Sequence, residues 1–342
     1  MKKLLSLLLC AFVLIIPAGC RDSKQSYAFE AMDTYMTLDI YGARNDMNLR
    51  PIDDTIKELD RQLSPTNAGN NGYDDNYVYQ INHNGSAKMF KDENDDLVLR
   101  TLDLCEETGG ALDITIYPVV DEWGFISKDY KIPSKERLGE LLKNVNYRQV
   151  WRGDYTVRVP DGYKVDFGAV AKGYAADKVV EHLDLADAFG AICNLGGTVV
   201  AYGKKPDGGE WRVGVADPEN SATYMGYVSC TDKIIATSGS YERYFEGEDG
   251  KIYSHIIDPK TGYPVDNGIL SVTIISKNGL RSDGLSTALF VMGREKAEEF
   301  YRAHKDFDYI MLTADKKAYL TPGAKERFRQ ADGYDYQIVT VE

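Results

Sequence analysis

The spacing of apolar residues along the chain predicts a mixture of helices and strands. Apolar side chains three or four positions apart, as at Ile52, Ile56, Leu59 and Leu63, are typical of amphipathic helices. Similar spacing, or an apolar run ended by glycine, predicts helices over 97–107, 138–145, 171–183 (beginning near residue 168) and 283–292. Alternating or continuous apolar runs predict strands over 29–41, 191–202, 211–215, 233–237 and 269–275, hairpins over 150–165 and 309–320, and a polar loop over 67–76. Because helices and strands do not alternate strictly, we expect one α+β domain rather than a doubly wound α/β sheet.

The composition is that of a globular protein with an acidic surface. Hydrophobic residues make up 43% and charged residues 27% of the 342 positions, which excludes a disordered chain and a multi-span membrane protein. Forty basic against fifty-three acidic residues give a formal net charge of −13. We therefore expect no nucleic-acid partner, since affinity for nucleic acids comes largely from clustered cations that neutralise phosphates.

The first 20 residues have the pattern of a bacterial export signal. Lys2 and Lys3 precede an apolar run over 4–16, which is too short to span a bilayer comfortably. The small residues that follow, Ala18-Gly19-Cys20, resemble a lipobox, in which the cysteine becomes the lipidated first residue of the mature protein. The alternatives are ordinary signal cleavage near Ala18 or Gly19 and a retained N-terminal anchor.

The leader sets the predicted domain organisation and location. We expect a signal peptide over 1–19, a lipidated Cys20 with a short tether over 20–26, and one folded domain over 27–342. On this interpretation the protein is exported and lipid-anchored to the membrane on its extracytoplasmic face, which is the periplasmic side in a Gram-negative cell.

The three cysteines beyond the leader, Cys105, Cys193 and Cys230, form neither a disulfide framework nor a zinc motif. They are widely spaced and odd in number, so each is expected to pack as a small buried hydrophobic side chain. The four histidines also lack the spacing of metal ligands.

Asp283 and Thr287 are four positions apart in a predicted helix, so their oxygens would share one face, where Ser286 can join them. Carboxylate and hydroxyl oxygens are hard donors that suit Mg²⁺ better than Zn²⁺. The alternative is a helix cap, in which Asp283 begins the helix and Thr287 bonds the carbonyl four residues earlier. Spacing alone favours the cap.

Two further segments could carry chemistry. Asp166 to Gly173 joins a strand to a helix, where free backbone N–H groups and Lys172 could bind phosphate; the alternative is a glycine-assisted turn with a solvated lysine. His255 and Asp258 lie in a stretch rich in turn formers, where the histidine could act as a base or could simply bond the backbone of a tight turn. The stretches 194–198 and 237–241 could be ligand-approaching strand ends or plain turns.

Taken in order, these segments resemble the ApbE family of FAD:protein FMN transferases. The matching stretches extend from about residue 29 to residue 293 and comprise 31–34, 110–118 with 123–124, 166–177, 194–197, 237–239 with 241–243, 253–264 and 283–293. The resemblance implies an α+β fold with an FAD cleft. It also implies an enzyme that splits FAD with the help of Mg²⁺, transfers FMN through a phosphoester bond to a Thr or Ser of a target protein, and releases AMP.

The resemblance implies roles for individual residues as well. FAD would be contacted by Met32, Ala111, Leu112, Asp113, Asp166, Lys172 and Ile257. Magnesium would take the Asp283 carboxylate, the Thr287 hydroxyl and the backbone carbonyl of Ala169. His255 is our candidate for the base that deprotonates the acceptor hydroxyl. The acceptor would carry the motif Asp-x-x-Ser/Thr-Gly-Ala-Ser/Thr, which is absent from this chain, so we expect no self-modification.

Two departures from the family pattern bear on function. Asp33 stands where the family usually has glycine, and the stretch from Leu63 to Asn67 lacks the tyrosine that usually follows the first helix. Some relatives without that tyrosine favour hydrolysis of FAD to FMN and AMP, so an FAD pyrophosphatase is one alternative function. A flavin-carrying lipoprotein without chemistry is an alternative of another class.

Overall fold

The computed structural model describes residues 23–49, 51–66, 76–88, 91–153 and 155–342, and only the backbone within 91–96. The predicted signal peptide, Cys20 and Asn67 lie outside these residues. The strands are β1 (Lys24–Ala31), β2 (Thr34–Tyr41), β3 (Ser86–Lys88), β4 (Trp151–Gly153), β5 (Thr156–Arg158), β6 (Gly190–Leu195), β7 (Thr198–Gly203), β8 (Trp211–Asp217), β9 (Asn220–Cys230), β10 (Lys233–Gly239), β11 (Tyr244–Glu246), β12 (Ile252–Ser254), β13 (Ile269–Ser276), β14 (Asp308–Thr313), β15 (Lys317–Leu320), β16 (Phe328–Gln330) and β17 (Gln337–Thr340). The helices are α1 (Ile52–Leu63), α2 (Tyr77–Asn84), α3 (Lys91–Glu107), α4 (Tyr117–Glu122), α5 (Lys135–Leu141), α6 (Ala171–Leu185), α7 (Gly279–Met292), α8 (Arg294–Ala303) and α9 (Pro322–Arg327).

A nine-stranded sheet organises the described part of the chain, in the order β1-β2-β6-β7-β10-β13-β14-β15-β17. Neighbouring strands are antiparallel except β15 and β17, which run parallel. Three small sheets, β3-β5-β4, β16-β9-β8 and β11-β12, lie outside it. The mixture of a largely antiparallel sheet with helices confirms the predicted α+β class.

The central strands of the main sheet carry apolar side chains at successive positions, which point to opposite faces. Both faces of these strands are therefore buried. Ile234 packs into the larger core and Ile235 into a second one, and Ile274 and Ile275 divide in the same way, as the alternation of side chains along a strand requires. The larger core lies under α1, α6 and α7. The second core lies under the β16-β9-β8 sheet and α9.

Two segments predicted as single strands are hairpins. The segment 29–41 turns at Met32 and Asp33, whose φ angles are 52° and 56°, and the segment 191–202 turns at Gly196 and Gly197. Two-residue hairpins with positive φ at both turn positions match the right-handed twist of their strands. Glycine supplies this conformation without strain, whereas Met32 adopts it at a cost of about 1–2 kcal/mol.

Other predicted elements are present with shifted bounds. The helix expected over 138–145 is α5 followed by a 3₁₀ turn, and α7 begins four residues before Asp283. β1 begins at Lys24, which pairs with Tyr41, so the folded domain starts three residues before the predicted boundary at residue 27. Cys105, Cys193 and Cys230 are buried free thiols, as predicted. Within the described ranges, no helix is long and apolar enough to cross a membrane.

Candidate active site

The loops that carry several predicted site residues meet at one end of the main sheet. The register of β2 on β6, of β7 on β10 and of β10 on β13 places the turn 32–33, the turn 196–197 and the end of β10 at this end. The first two turns touch, since a Cβ added to Gly196 would lie 2.3 Å from the Thr34 methyl carbon. Strand pairing thus brings together segments that are far apart in the sequence.

Helices α6 and α7 cross at two glycines, near the start of α7, which follows the end of β13. A Cβ added to Gly173 would lie 2.1 Å from the Gly279 carbonyl oxygen, and a Cβ added to Gly279 would lie 2.1 Å from the Gly173 carbonyl oxygen. No side chain fits at either position. The close crossing lets the Asp283 carboxylate of α7 reach the first turn of α6, where its Oδ2 accepts the Gly173 N–H at 2.8 Å.

This bond changes the role predicted for the start of α6. The N–H of Gly173 serves the Asp283 carboxylate rather than an external phosphate, so the helix start holds an anion supplied by the protein itself. Gly173 lies in the first turn of α6, where backbone N–H groups have no acceptor within the helix, and the Asp283 carboxylate supplies one. Ala169 precedes the N-cap residue Val170, so its carbonyl lies outside the helix.

Asp283 is not the helix cap that spacing alone favoured. The cap is Asn278, whose side chain accepts the Arg281 N–H, and Asp283 lies in the second turn, 5% exposed. Burial raises the pKa of Asp283, while the charge of Lys172 and the N–H groups of Gly173 and Lys172 lower it. A buried carboxylate of this kind gains stability from a nearby cation.

A chain of hydroxyl groups links Thr287 to the backbone of Asp283. Ser286 donates to the Asp283 carbonyl at 2.7 Å, and a hydroxyl has only one proton to give. Ser238 must therefore donate to Ser286, at 2.7 Å, and accept from Thr287, at 3.2 Å. The lone pairs of Thr287 consequently stay available, whereas Ser286, which spacing had grouped with Asp283 and Thr287, has its proton and one lone pair engaged in this chain.

His255 is held as a neutral imidazole. Its Nδ1 lies 3.1 Å from the Arg243 carbonyl oxygen, which can only accept, so the ring proton is on Nδ1 and Nε2 carries a free lone pair. Burial, together with the positive charges of Arg243 and Lys172, lowers the pKa of His255 to about 4. At neutral pH Nε2 therefore carries no proton.

The aspartate near this histidine has a different role from the one its position suggests. Asp258 accepts from the Lys260 N–H at 2.9 Å and from the Thr261 hydroxyl at 3.3 Å, so it organises the turn and does not orient His255. The turn is fastened to the domain by Trp123, whose indole N–H donates to the Gly262 carbonyl at 2.8 Å. Ile257 is buried in the same cluster as Trp123.

The segments around Asp113 and Asp166 are neighbours. The Asp166 N–H donates to the Ile114 carbonyl at 2.8 Å, and Leu112 packs with Val170 over Gly284, next to Asp283. Burial raises the pKa of Asp166, whose carboxylate accepts the Gly168 N–H at 2.8 Å. The fold thus assembles the predicted nucleotide segment 111–113 beside the start of α6.

Asp113 has protein partners at both carboxylate oxygens. Oδ1 accepts from the backbone and hydroxyl of Thr115, at 2.8 and 2.6 Å, and Oδ2 accepts from the Tyr147 N–H at 3.0 Å. The Asp113 side chain therefore stabilises the local fold of this segment. A nucleotide that contacts Asp113 would have to share these hydrogen bonds or bind the Asp113 backbone.

The hairpin turn formed by Met32 and Asp33 contacts Asp60 and lies close to Arg243. The Met32 N–H donates to the carboxylate of Asp60, whose pKa is raised by burial. Asp33, in place of the usual glycine, lies 3.8 Å from a guanidinium nitrogen of Arg243, the residue whose carbonyl holds His255. Both side chains of this ion pair are more than half exposed, so the pair contributes little to stability.

The structure adds three residues for which no role was predicted. Ser238 positions Thr287, Arg243 holds His255, and Glu242 lies in the field of Lys172, Asp283 and Arg243. The Glu242 side chain is exposed, yet partial desolvation by the surrounding protein raises its pKa to about 7, with Lys172 and Arg243 opposing and Asp283 adding to the shift. All three residues lie in or next to the stretch 237–241, which was already noted as a possible strand end near a ligand. That position was the only indication of their role in the local sequence.

A sequence model of the ApbE family matches residues 32–311. The chain belongs to the ApbE family. The FAD:protein FMN transferase of Haemophilus influenzae is 28% identical over 336 residues, covering 92% of this chain and 94% of that protein. The FAD:protein FMN transferase of Treponema pallidum is 34% identical over 253 residues, covering 69% and 70%.

Solved structures of ApbE proteins share the fold. The ApbE protein of Thermotoga maritima superposes with a TM-score of 0.76 at 28% identity, covering 91% of this chain and 97% of that one. The flavin transferase ApbE of Vibrio cholerae superposes with a TM-score of 0.74 at 26% identity, covering 89% and 100%. These similarities confirm the prediction of a flavin transferase of the ApbE family with an α+β fold.

Proposed function

We propose that this chain transfers FMN from FAD to a Thr or Ser hydroxyl of an acceptor protein, in a Mg²⁺-dependent reaction that releases AMP. The observation that carries the proposal is the arrangement at the α6–α7 crossing. It combines a buried carboxylate at Asp283, a hydroxyl at Thr287 whose lone pairs are left available, and a backbone carbonyl at Ala169, which lies just before the N-cap of α6.

These three groups suit a magnesium ion. All are oxygen donors, as a hard cation requires, and the carboxylate brings a negative charge to a buried place. Within the described residues no group of three or more His, Cys, Asp or Glu side chains could hold a metal, so a site here would depend on this mixed donor set. When bound, Mg²⁺ would neutralise charge on the pyrophosphate of FAD.

The side chains of the protein would provide the remaining chemistry. Lys172 would bind the pyrophosphate by charge, and His255 Nε2 would take the proton of the acceptor hydroxyl. The acceptor oxygen would form a bond to the phosphorus on the FMN side, while the bond from that phosphorus to the bridging oxygen breaks and AMP leaves with the electron pair. The net result is one phosphoester formed on the acceptor and one AMP released.

A second candidate, hydrolysis of FAD to FMN and AMP, is favoured by one observation. The loop after α1 lacks the usual tyrosine. Of the two tyrosines that could replace it, Tyr73 lies outside the described residues and Tyr77 is 1% exposed in the core. Tyr77 therefore cannot cover the site and exclude water. We propose that both reactions occur, with transfer dominant when an acceptor is present. A flavin carrier without chemistry does not need the neutral, backbone-held His255.

We also propose that the protein acts outside the cytoplasm, tethered through a lipid on Cys20. The support is the leader sequence, a short positive segment followed by an apolar run and Ala18-Gly19-Cys20. A membrane tether would hold the enzyme near acceptor proteins that carry the Asp-x-x-Ser/Thr-Gly-Ala-Ser/Thr motif at the same surface. Metabolic labelling with a radioactive fatty acid, compared between the wild type and Cys20→Ser, tests the anchor.

The test of the function is to incubate the protein with FAD, Mg²⁺ and a peptide that carries the acceptor motif. Free AMP and the mass of the peptide are measured together. Transfer predicts one FMN-modified peptide for each AMP in the early phase. AMP without modified peptide would instead establish the pyrophosphatase, and binding of FAD without any AMP would establish the carrier.

A further inference from the structure

Asp283 has a counterpart on the facing helix. Near the start of α7, the N–H groups of Gly279 and Leu280 donate to Asp177 of α6, at 2.5 and 3.2 Å. Near the start of α6, the N–H of Gly173 donates to Asp283 of α7 at 2.8 Å. Each helix therefore offers one carboxylate to the first turn of the other, and the pairing of 173 with 283 and of 177 with 279 makes the helices antiparallel. We call this pair of contacts the carboxylate clasp.

Asp177 is itself fixed by an arginine of a third helix. Nη2 of Arg100 in α3 donates to Asp177 Oδ2 at 2.7 Å and to the side-chain oxygen of Asn278, the cap of α7, also at 2.7 Å. The Arg100 and Asp177 side chains are 25% and 15% exposed, so this ion pair is better shielded from water than a surface pair. The ion pair with Arg100 thus helps to fix the position of the Asp177 carboxylate that accepts from α7.

The clasp sets how far α7 is displaced along α6. Gly279 lies one turn before Asp283, and Gly173 lies one turn before Asp177, so the two carboxylate contacts are separated by one helical turn on each helix. A shift of α7 that lengthens the Asp177 contacts would also move Asp283 relative to Gly173 and Ala169. The glycine crossing between the contacts keeps the helices close but, without side chains, does not resist sliding by itself.

We infer that Asp177, held by Arg100, is a positioning residue for the metal site, because it fixes the displacement of α7 at which Asp283 and Thr287 of α7 meet the Ala169 carbonyl beside α6. The inference rests on the proposed Mg²⁺-dependent function. Asp177 itself would not touch the metal or FAD, since both of its oxygens are used by α7 and Arg100.

The test measures metal binding directly rather than turnover. Mn²⁺ takes the same hard oxygen ligands as Mg²⁺ and is paramagnetic, so the free ion can be titrated by electron paramagnetic resonance against purified protein, with Mg²⁺ as competitor. The variants are Asp177→Asn, which replaces one accepting oxygen by an NH₂ group, and Arg100→Gln, which keeps Asp177 but removes its ion pair. The matched control is Asn267→Ala, because the Asn267 side chain bonds the Phe290 carbonyl at the opposite end of α7. Thermal midpoints are recorded for all three.

We expect Asp177→Asn to weaken Mn²⁺ binding at least tenfold and Arg100→Gln to weaken it by a smaller factor, with Asn267→Ala within twofold of the wild type. Equal Mn²⁺ affinity in the wild type and both clasp variants would overturn the inference, as would an equal loss in Asn267→Ala. If Asp177→Asn fails to fold, Arg100→Gln decides alone. Absence of any Mg²⁺-competed Mn²⁺ site in the wild type would contradict the proposed metal site itself, which is a separate outcome.

Discussion

The glycine crossing of α6 and α7 makes a quantitative prediction for Gly173→Ala. The added methyl group would lie 2.1 Å from the Gly279 carbonyl oxygen and 2.6 Å from the Asp283 Cβ, and both neighbours belong to a packed helix that cannot turn aside. Restoring an ordinary contact distance requires the helices to separate by about 1 Å. The Gly173 N–H to Asp283 bond, now 2.8 Å, would then lie beyond hydrogen-bonding range.

The expected cost combines two effects. Overpacking at a tight contact costs about 1–3 kcal/mol, and loss of a hydrogen bond to a charged group costs about 1.5–3 kcal/mol. The higher helix propensity of alanine returns about 1 kcal/mol. We expect a net loss of about 1.5–5 kcal/mol in the free energy of unfolding, which corresponds to a fall of about 3–10 °C in the thermal midpoint.

The assay compares thermal unfolding and Mg²⁺-dependent AMP release in Gly173→Ala with a matched control, Gly139→Ala. Gly139 is an exposed residue of α5, and a Cβ there would meet nothing within 4 Å, so this control should be neutral or stabilising. Gly173→Ala should also lose activity at low Mg²⁺, because Asp283 moves. A Gly173→Ala protein with the thermal midpoint and activity of the wild type would refute the geometry of the crossing.

Three further predictions follow from the site. Thr287→Val should raise the Mg²⁺ concentration needed for half-maximal AMP release about tenfold, with activity partly restored by excess Mg²⁺, because one neutral ligand is lost and the carboxylate remains; an unchanged requirement would exclude Thr287 as a ligand. Thr66→Tyr should lower the ratio of free FMN to modified acceptor, since a ring beside the site would exclude water, and an unchanged ratio would show that this loop does not control water access. Glu242 is exposed at the surface, but partial desolvation by the surrounding protein raises its pKa to about 7, so it is charged above that pH and opposes binding of the anionic FAD near Lys172. FAD affinity measured by fluorescence quenching should therefore weaken as the pH rises from 6 to 8, and Glu242→Gln should bind FAD tightly with less dependence on pH; equal pH dependence in both proteins would contradict this assignment.

Local sequence patterns were enough for most of the helices and strands. The apolar spacing of Ile52 to Leu63 and the continuous apolar run of β13 depend only on neighbouring residues, and both elements formed as predicted. The paired glycines at 196–197 were a usable hairpin signal: the segment 191–202 was predicted as one strand, although 194–198 was also noted as a strand end or plain turn. The turn at Met32 and Asp33 carried no such signal, because methionine is uncommon at positive φ.

The candidate site could be predicted only in part for a physical reason. The spacing of Asp283 and Thr287 places them on one helix face, which is local information, and the family resemblance added the remaining residues. The partners that define their chemistry are distant in the sequence. Gly173 meets Asp283, and Ser238 meets Thr287, only because α6, β10 and α7 pack together. No periodicity in a single segment contains such contacts.

The proposed metal site is tested most directly by the Mg²⁺ dependence of AMP release from FAD in the wild type and in Asp283→Ala, with FAD binding measured separately by fluorescence quenching. We predict that the wild type saturates with Mg²⁺, whereas Asp283→Ala folds and binds FAD but releases no AMP at any accessible Mg²⁺ concentration, because its only anionic metal ligand is gone. Wild-type rates for Asp283→Ala at low Mg²⁺ would contradict a metal-binding role for this carboxylate. They would show that the buried carboxylate serves only to join α7 to α6.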